Sequence, residues 1–148
     1  MIFVGIDPGK NMGVAVVDAQ ENTCFSFTVE KGKDLIDAVK EVYDNRESPM
    51  LFVVEQQQPM GIPKAFFSVG HSMGYVEALL DSLGYPYTLV KIASWQRKIL
   101  GKCAKGSTKE AAKKYSERRF PDKVKRTEHE HDAICIACYG MMISGDIR

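Results

Sequence analysis

Apolar and polar residues fall in blocks along this chain, and the blocks predict its elements. Residues 2–6 (IFVGI) and 12–18 (MGVAVVD) are short β-rich runs joined by the turn-forming DPGKN, the pattern of a hairpin. A third run at 23–29 (TCFSFTV) alternates apolar and polar side chains and predicts a third antiparallel strand. From Leu35 the apolar residues fall at 35, 36, 39, 42 and 43, a helical period, until Pro49 forces a break. MLFVVE at 50–55 is a continuous apolar run ending on a carboxylate, which suits the middle of a sheet covered on both faces.

After QQQPMGIP a helix is expected over 64–83, in which Gly70, Gly74 and Ala78 recur every four residues. Such a smooth stripe admits a second helix at close range, either within the chain or across a dimer contact. Gly84 caps this helix, and YPYTLVKI is the last strand. Residues 94–100 and 108–119 predict helices around the polar link GKCAKGS, Pro121 ends the second, and a final helix is expected over 128–143. With no repeat, linker or low-complexity tract, residues 1–148 read as a single α/β domain with a mixed five-stranded sheet flanked by helices.

Charge changes the picture through its distribution. The net value is only +1, but residues 91–126 hold 13 of the 20 Lys and Arg against three acids (Glu110, Glu117, Asp122). A molecule polarised in this way suits a surface that receives an anionic polymer, although any one of Lys113, Lys114, Arg118 and Arg119 taken singly is better explained as the wet face of a helix. No apolar run approaches the roughly 20 residues of a membrane span, and MIFVGIDPG carries an acid where a signal peptide is apolar. A cytoplasmic protein without membrane attachment is expected. The four cysteines (Cys24, Cys103, Cys135, Cys138) are too few and scattered for a disulfide scaffold. Cys135 and Cys138 form a CxxC inside the apolar helical stretch ICIACYG, so they read as buried packing residues rather than a zinc or redox pair.

The candidate chemistry lies in carboxylates at element ends. Asp7 follows the strand IFVGI and precedes Pro8-Gly9, and Glu55 terminates LFVVE. If the two strands are neighbours, two carboxylates meet at one edge of the sheet, where Mg2+ or Mn2+ finds the hard oxygen ligands it prefers. In EHEHDAICIACYG, Glu128 and Asp132 share a helical face and His129 stands about one turn before Asp132. Each has an ordinary alternative: a turn acid for Asp7, a helix cap for Glu55, a response to the helix dipole for the acids near Glu128.

GIDPGKNMGVAVVD, the strand-terminal VVEQ, ASWQRKILG and HEHDAICIACYG together resemble the RuvC-type Holliday junction resolvases of the RNase H-like nuclease superfamily, over nearly the whole chain. The resemblance implies an RNase H-like fold and four metal-binding positions at Asp7, Glu55, His129 and Asp132, with His131 and Glu128 as further candidates beside His129. It implies two Mg2+ ions per site, which Mn2+ replaces, and a homodimer making symmetric nicks across a four-way DNA junction. It sets Lys102, Lys105 and Lys109 near the scissile phosphate, with Lys105 and Lys109 in catalysis, and DNA binding extends over Lys113, Lys114 and Arg118. Some relatives insert an aromatic residue shortly after the second acid; Gln58 stands there in this chain, with Met60, Phe66 or Phe67 as substitutes. The rival readings are a fragment of an actin-like ATPase, which needs far more chain, a junction-binding protein without catalysis, and a nuclease of the same fold acting on other branched DNA, simple duplex DNA or RNA.

Overall fold

The computed structural model describes the backbone of residues 1–30, 33–44, 48–57 and 63–145, and the side chains of these residues except 30, 33, 34 and 63–69. Five strands form one sheet: β1 (Ile2–Asp7), β2 (Asn11–Asp18), β3 (Thr23–Glu30), β4 (Met50–Gln56) and β5 (Tyr87–Lys91), in the order β3-β2-β1-β4-β5. The β1–β2 and β2–β3 pairs are antiparallel, and β1–β4 and β4–β5 are parallel. The mixed five-stranded sheet expected from the sequence is present.

Alternation along the strands divides the core in two. Ile2, Val4 and Ile6 of β1 face one side with Met12, Val14, Phe52 and Val54. They pack there against α1 (Lys33–Asp44), through Leu35, Val39 and Val42, and against α2 (Pro63–Leu83), through Val76 and Leu80. Phe3, Ala15, Val17 and Val53 face the other side. They meet Trp95 at the end of α3 (Ile92–Trp95), Ala112 of α4 (Thr108–Arg119) and the apolar run of α5 (Glu128–Ile143). Burying each large side chain contributes about 1.5–3 kcal/mol, so the two layers hold the sheet from both faces.

The position of α5 matters most for the site. A Cβ on Gly5 would collide with the carbonyl oxygen of Ala133, and one on Gly13 with that of His129. The two glycines therefore let the backbone of α5 lie directly on β1 and β2, which sets the height of its first turns above the end of β1. A capping box between Thr127 and Glu130 starts the helix. Glu130 also accepts from the hydroxyls of Ser26 (2.8 Å) and Thr28 (3.0 Å) on β3, and the hydroxyl of Ser116 on α4 lies 2.6 Å from His131 Nδ1. The start of α5 is thereby fixed from both sides.

Smaller differences from the expected elements have local causes. Strand β5 begins at Tyr87, after Pro86, which has no N–H to give a ladder; its carbonyl accepts from Phe52 N at 2.9 Å. The helix expected over 94–100 begins at Ile92 and widens into a π-type turn over Gln96–Leu100, which Gly101 stops at φ 72°. Cys135 and Cys138 are unpaired and fully buried, as packing residues would be. Gly70, Gly74 and Ala78 are exposed, and no atom lies within 4 Å of a Cβ built on either glycine, so the stripe packs on nothing else among the described residues. Among those residues no helix is long and apolar enough to cross a membrane.

Candidate metal centre

The β1–β4 pairing brings the two strand-end acids together. Ile6 pairs with Val54, so the next step of the register sets Asp7 beside Glu55. Their side chains share the α5 side of the sheet with Phe3, four residues before Asp7, and Val53, two before Glu55, since even spacing along a strand keeps one face. Asp7 is 8% exposed and Glu55 5%. From above, α5 lowers His129 and Asp132, three residues apart on one helical face. Nδ1 of His129 lies 3.0 Å from Oδ2 of Asp7, and Asp132 is 8% exposed.

Every one of these acids already has a protein partner. Trp95 donates its indole N–H to Glu55 Oε2 at 2.7 Å, and the amide of Gln57 donates to Glu55 Oε1 at 2.5 Å. Lys109 donates to Asp132 Oδ2 at 2.6 Å. These side chains line a cavity of about 290 Å³, together with Pro8, Gly9, Ile92, Gln96 and Thr108.

Burial pushes the Glu55 carboxyl up to about 8, the charges of Asp7 and Asp132 add to the shift, and the bond from Trp95 opposes it. Burial likewise raises Asp7 against the hydrogen bond from His129, with Asp132 raising it further. It raises Asp132 against the hydrogen bond from Lys109. Burial pulls Lys109 the other way, but its hydrogen bond to Asp132 and the charges of Asp132, Glu128 and Asp7 prevail and raise it. Three carboxyls held out of water within reach of one another are a poor arrangement without positive charge and a good one around a cation.

The donor set is therefore that of a hard divalent ion: carboxylate oxygens and one imidazole. Among the described residues, no three His, Cys, Asp or Glu side chains are arranged to hold an ion as they stand. Lys109 occupies Asp132, His129 occupies Asp7, and Gln57 with Trp95 occupies Glu55. The Lys109 side chain is 52% exposed and Gln57 is half-buried, so both have room to turn away.

The other residues singled out from the sequence fall as follows. Glu128 is exposed at the helix start, with Oε1 3.9 Å from His129 Nε2. His131 is turned away from the cavity to Ser116, and burial lowers its pKa. Lys102 and Lys105 are exposed on the loop before α4 and do not line the cavity, whereas Lys109 does. Lys113, Lys114 and Arg118 are exposed on α4, where Lys114 lies 3.5 Å from Glu110. Of the 13 cations in 91–126, all but Arg119 and Arg126 are exposed. Gln58, Met60 and the side chains of Phe66 and Phe67 lie outside the described residues. Sequence reasoning missed Trp95 and Gln57. The only available signal was that the chain's single tryptophan lies in a segment of family resemblance and that Gln57 follows the strand-end acid by two residues.

No protein-family model matches this chain, and no curated protein matches it. Solved structures do. Thermus thermophilus RuvC in complex with Holliday junction substrate is 19% identical, with a TM-score of 0.73 over 99% of this chain and 98% of that one. A second Thermus thermophilus RuvC structure is 20% identical, with the same TM-score and coverage. The likeness establishes the fold: the sheet and its helices are arranged as in RuvC, within the RNase H-like class.

Proposed function

We propose that this chain is a metal-dependent endodeoxyribonuclease that resolves four-way DNA junctions by paired phosphodiester hydrolysis, with residues 1–148 forming one nuclease domain of a homodimer. The observation that carries this reading is the convergence of Asp7, Glu55, His129 and Asp132, from two adjacent parallel strands and the helix lying on them, around one cavity. A protein that only bound DNA would gain nothing from concentrating buried carboxylates where phosphate must approach.

Asp7, Glu55, Asp132 and His129 would hold Mg2+, two ions per site, with Mn2+ able to replace it. An ion held there would supply Lewis-acid polarisation of the phosphate and a lowered pKa for water, the chemistry that hydrolysis needs at neutral pH. The chain's own groups do the rest. Asp7 stands beside Glu55 in the sheet register and bonds to His129 of α5, so it would hold the ion between the strand-end pair and the helix. His129 binds Asp7 through Nδ1, which leaves Nε2 to ligate or to move a proton. Lys109, once turned from Asp132, offers its charge to the phosphate as negative charge develops on it. The exposed cations of 91–126, the segment that carries Lys109 into the cavity, would track the DNA backbone by displacing its counterions. The exposed stripe of Gly70, Gly74 and Ala78 supports a helix-to-helix contact with a second copy.

The test is a cleavage panel of four-way junction, flap, duplex and RNA–DNA hybrid in Mg2+. The expected result is paired nicks across the junction and weak cutting of linear duplex. Equal cutting of duplex or hybrid would assign the chain to another nuclease specificity. Junction binding with no cutting in Mg2+ or Mn2+ would overturn the catalytic reading.

A further inference from the structure

Glu55 sits between two donors of unlike character. Gln57, two residues further along the chain, is half-buried and on a short tether, so its bond to Oε1 is easily exchanged. Trp95 is 1% exposed, packed with Phe120, Val90 and Met141 in the core on the α5 side of the sheet, and comes from a separate element. Its reach has a simple origin. Glu55 pairs with Val90 on β5, the strand ends at Lys91, and the single turn of α3 carries residue 95 back over the end of β4. An indole N–H only donates, and the ring has no charge to lose or gain at any working pH. Such a group fixes a carboxylate oxygen without competing for the cation.

We propose that Trp95 is a positioning residue for the metal centre: its indole N–H holds Oε2 of Glu55 and leaves Oε1, released by Gln57, as the oxygen offered to the ion. The inference rests on the metal-binding reading of the site given above. It assigns Glu55 a single-oxygen contact and makes the core tryptophan part of the centre, acting through Glu55. Outer partners of this kind are worth about 10–100-fold in metal affinity.

The experiment is a Mg2+ titration of the full chain labelled with 15N, without DNA. The sequence has one tryptophan, so its indole N–H gives a single assignable resonance. The resonance should move saturably with Mg2+ and keep the slow solvent exchange of a hydrogen-bonded proton. Calorimetry on Trp95→Phe, which keeps an aromatic ring and removes the donor, should show Mg2+ binding weakened about 10–100-fold. In a Glu55→Gln background the same substitution should change Mg2+ affinity little, because the partner carboxylate is gone. If the wild-type chain binds no Mg2+ at all, the metal-centre reading itself fails. If it binds Mg2+ while the indole resonance stays fixed, or Trp95→Phe binds as tightly as wild type, the role of Trp95 is overturned and the metal reading stands. If Trp95→Phe does not fold, the resonance alone decides.

Discussion

Nζ of Lys109 lies 2.6 Å from Oδ2 of Asp132 and ties the start of α4 to the start of α5 across the cavity. Among the described residues, Lys109 is the one cation of the basic segment that lines the acidic site. Because half of the lysine side chain is in water, the pair is screened and the lysine can leave it.

Lys109→Ala should therefore lower the single-turnover cleavage rate at saturating enzyme, on the order of a hundredfold, with a small effect on junction affinity. Lys113→Ala and Lys114→Ala, on the exposed surface, should shift the binding midpoint and reduce its salt slope by about one unit each. Equal behaviour of Lys109 and the surface lysines would show a diffuse electrostatic face with no catalytic lysine.

The buried acids predict how the metal-free protein responds to pH. Glu55 is held at about 8 in the fold against an ordinary 4.5, so the native chain keeps a proton that the unfolded chain releases. Its contribution to stability is full below about pH 4.5 and is lost as pH rises through about 8. Asp7 and Asp132 are raised as well and act in the same direction. With chelator present, the melting temperature should fall between pH 5.5 and 9, and Glu55→Gln should flatten that fall. A wild-type melting temperature that does not change over this window would contradict the burial of these carboxyls.

Two glycines make opposite predictions about stability. Gly5→Ala drives a methyl into the Ala133 carbonyl and should cost about 1–3 kcal/mol in denaturant unfolding, because α5 must lift from β1. Gly74→Ala meets nothing within 4 Å in the helix interior and should stabilise by about 0.5–1 kcal/mol. Similar effects at the two positions would mean that α5 does not rest on β1 as described.

The same open stripe bears on assembly. Gly74→Leu should keep the fold and convert the proposed dimer into monomers in sedimentation, since a bulky side chain blocks close helix approach. Unchanged dimers would move the contact to another face.

Much of this arrangement was legible in the sequence, and the remainder was not for identifiable reasons. The acids of Asp7 and Glu55 could be placed at strand ends from their flanking apolar runs, but only the parallel insertion of β4 beside β1 makes them neighbours. Nothing local encodes that pairing. In EHEHDA every residue but the last is of a ligand type, yet Glu130 turns to Ser26 and Thr28 and His131 to Ser116, while His129 and Asp132 turn to the cavity. Helix phase alone does not say which face meets β1. The glycines that seat α5 carry a signal of their own, since glycine inside a strand marks close backbone approach, but the sequence does not say which helix approaches. Lys102, Lys105 and Lys109 are indistinguishable as sequence, and only the start of α4 separates the one that enters the site. Trp95 depends on the turn after β5, which no residue pattern foretold.

The central claim is that Asp7, Glu55 and Asp132 serve chemistry rather than architecture. The direct measurement is single-turnover cleavage of a four-way junction in Mg2+ by Asp7→Asn, Glu55→Gln and Asp132→Asn, alongside junction binding by the same preparations. Each substitution removes a charge at nearly constant shape, so each variant should bind the junction as wild type does and fail to cut it. Near wild-type turnover in any one of them would remove that residue from the metal centre, and near wild-type turnover in all three would contradict the account.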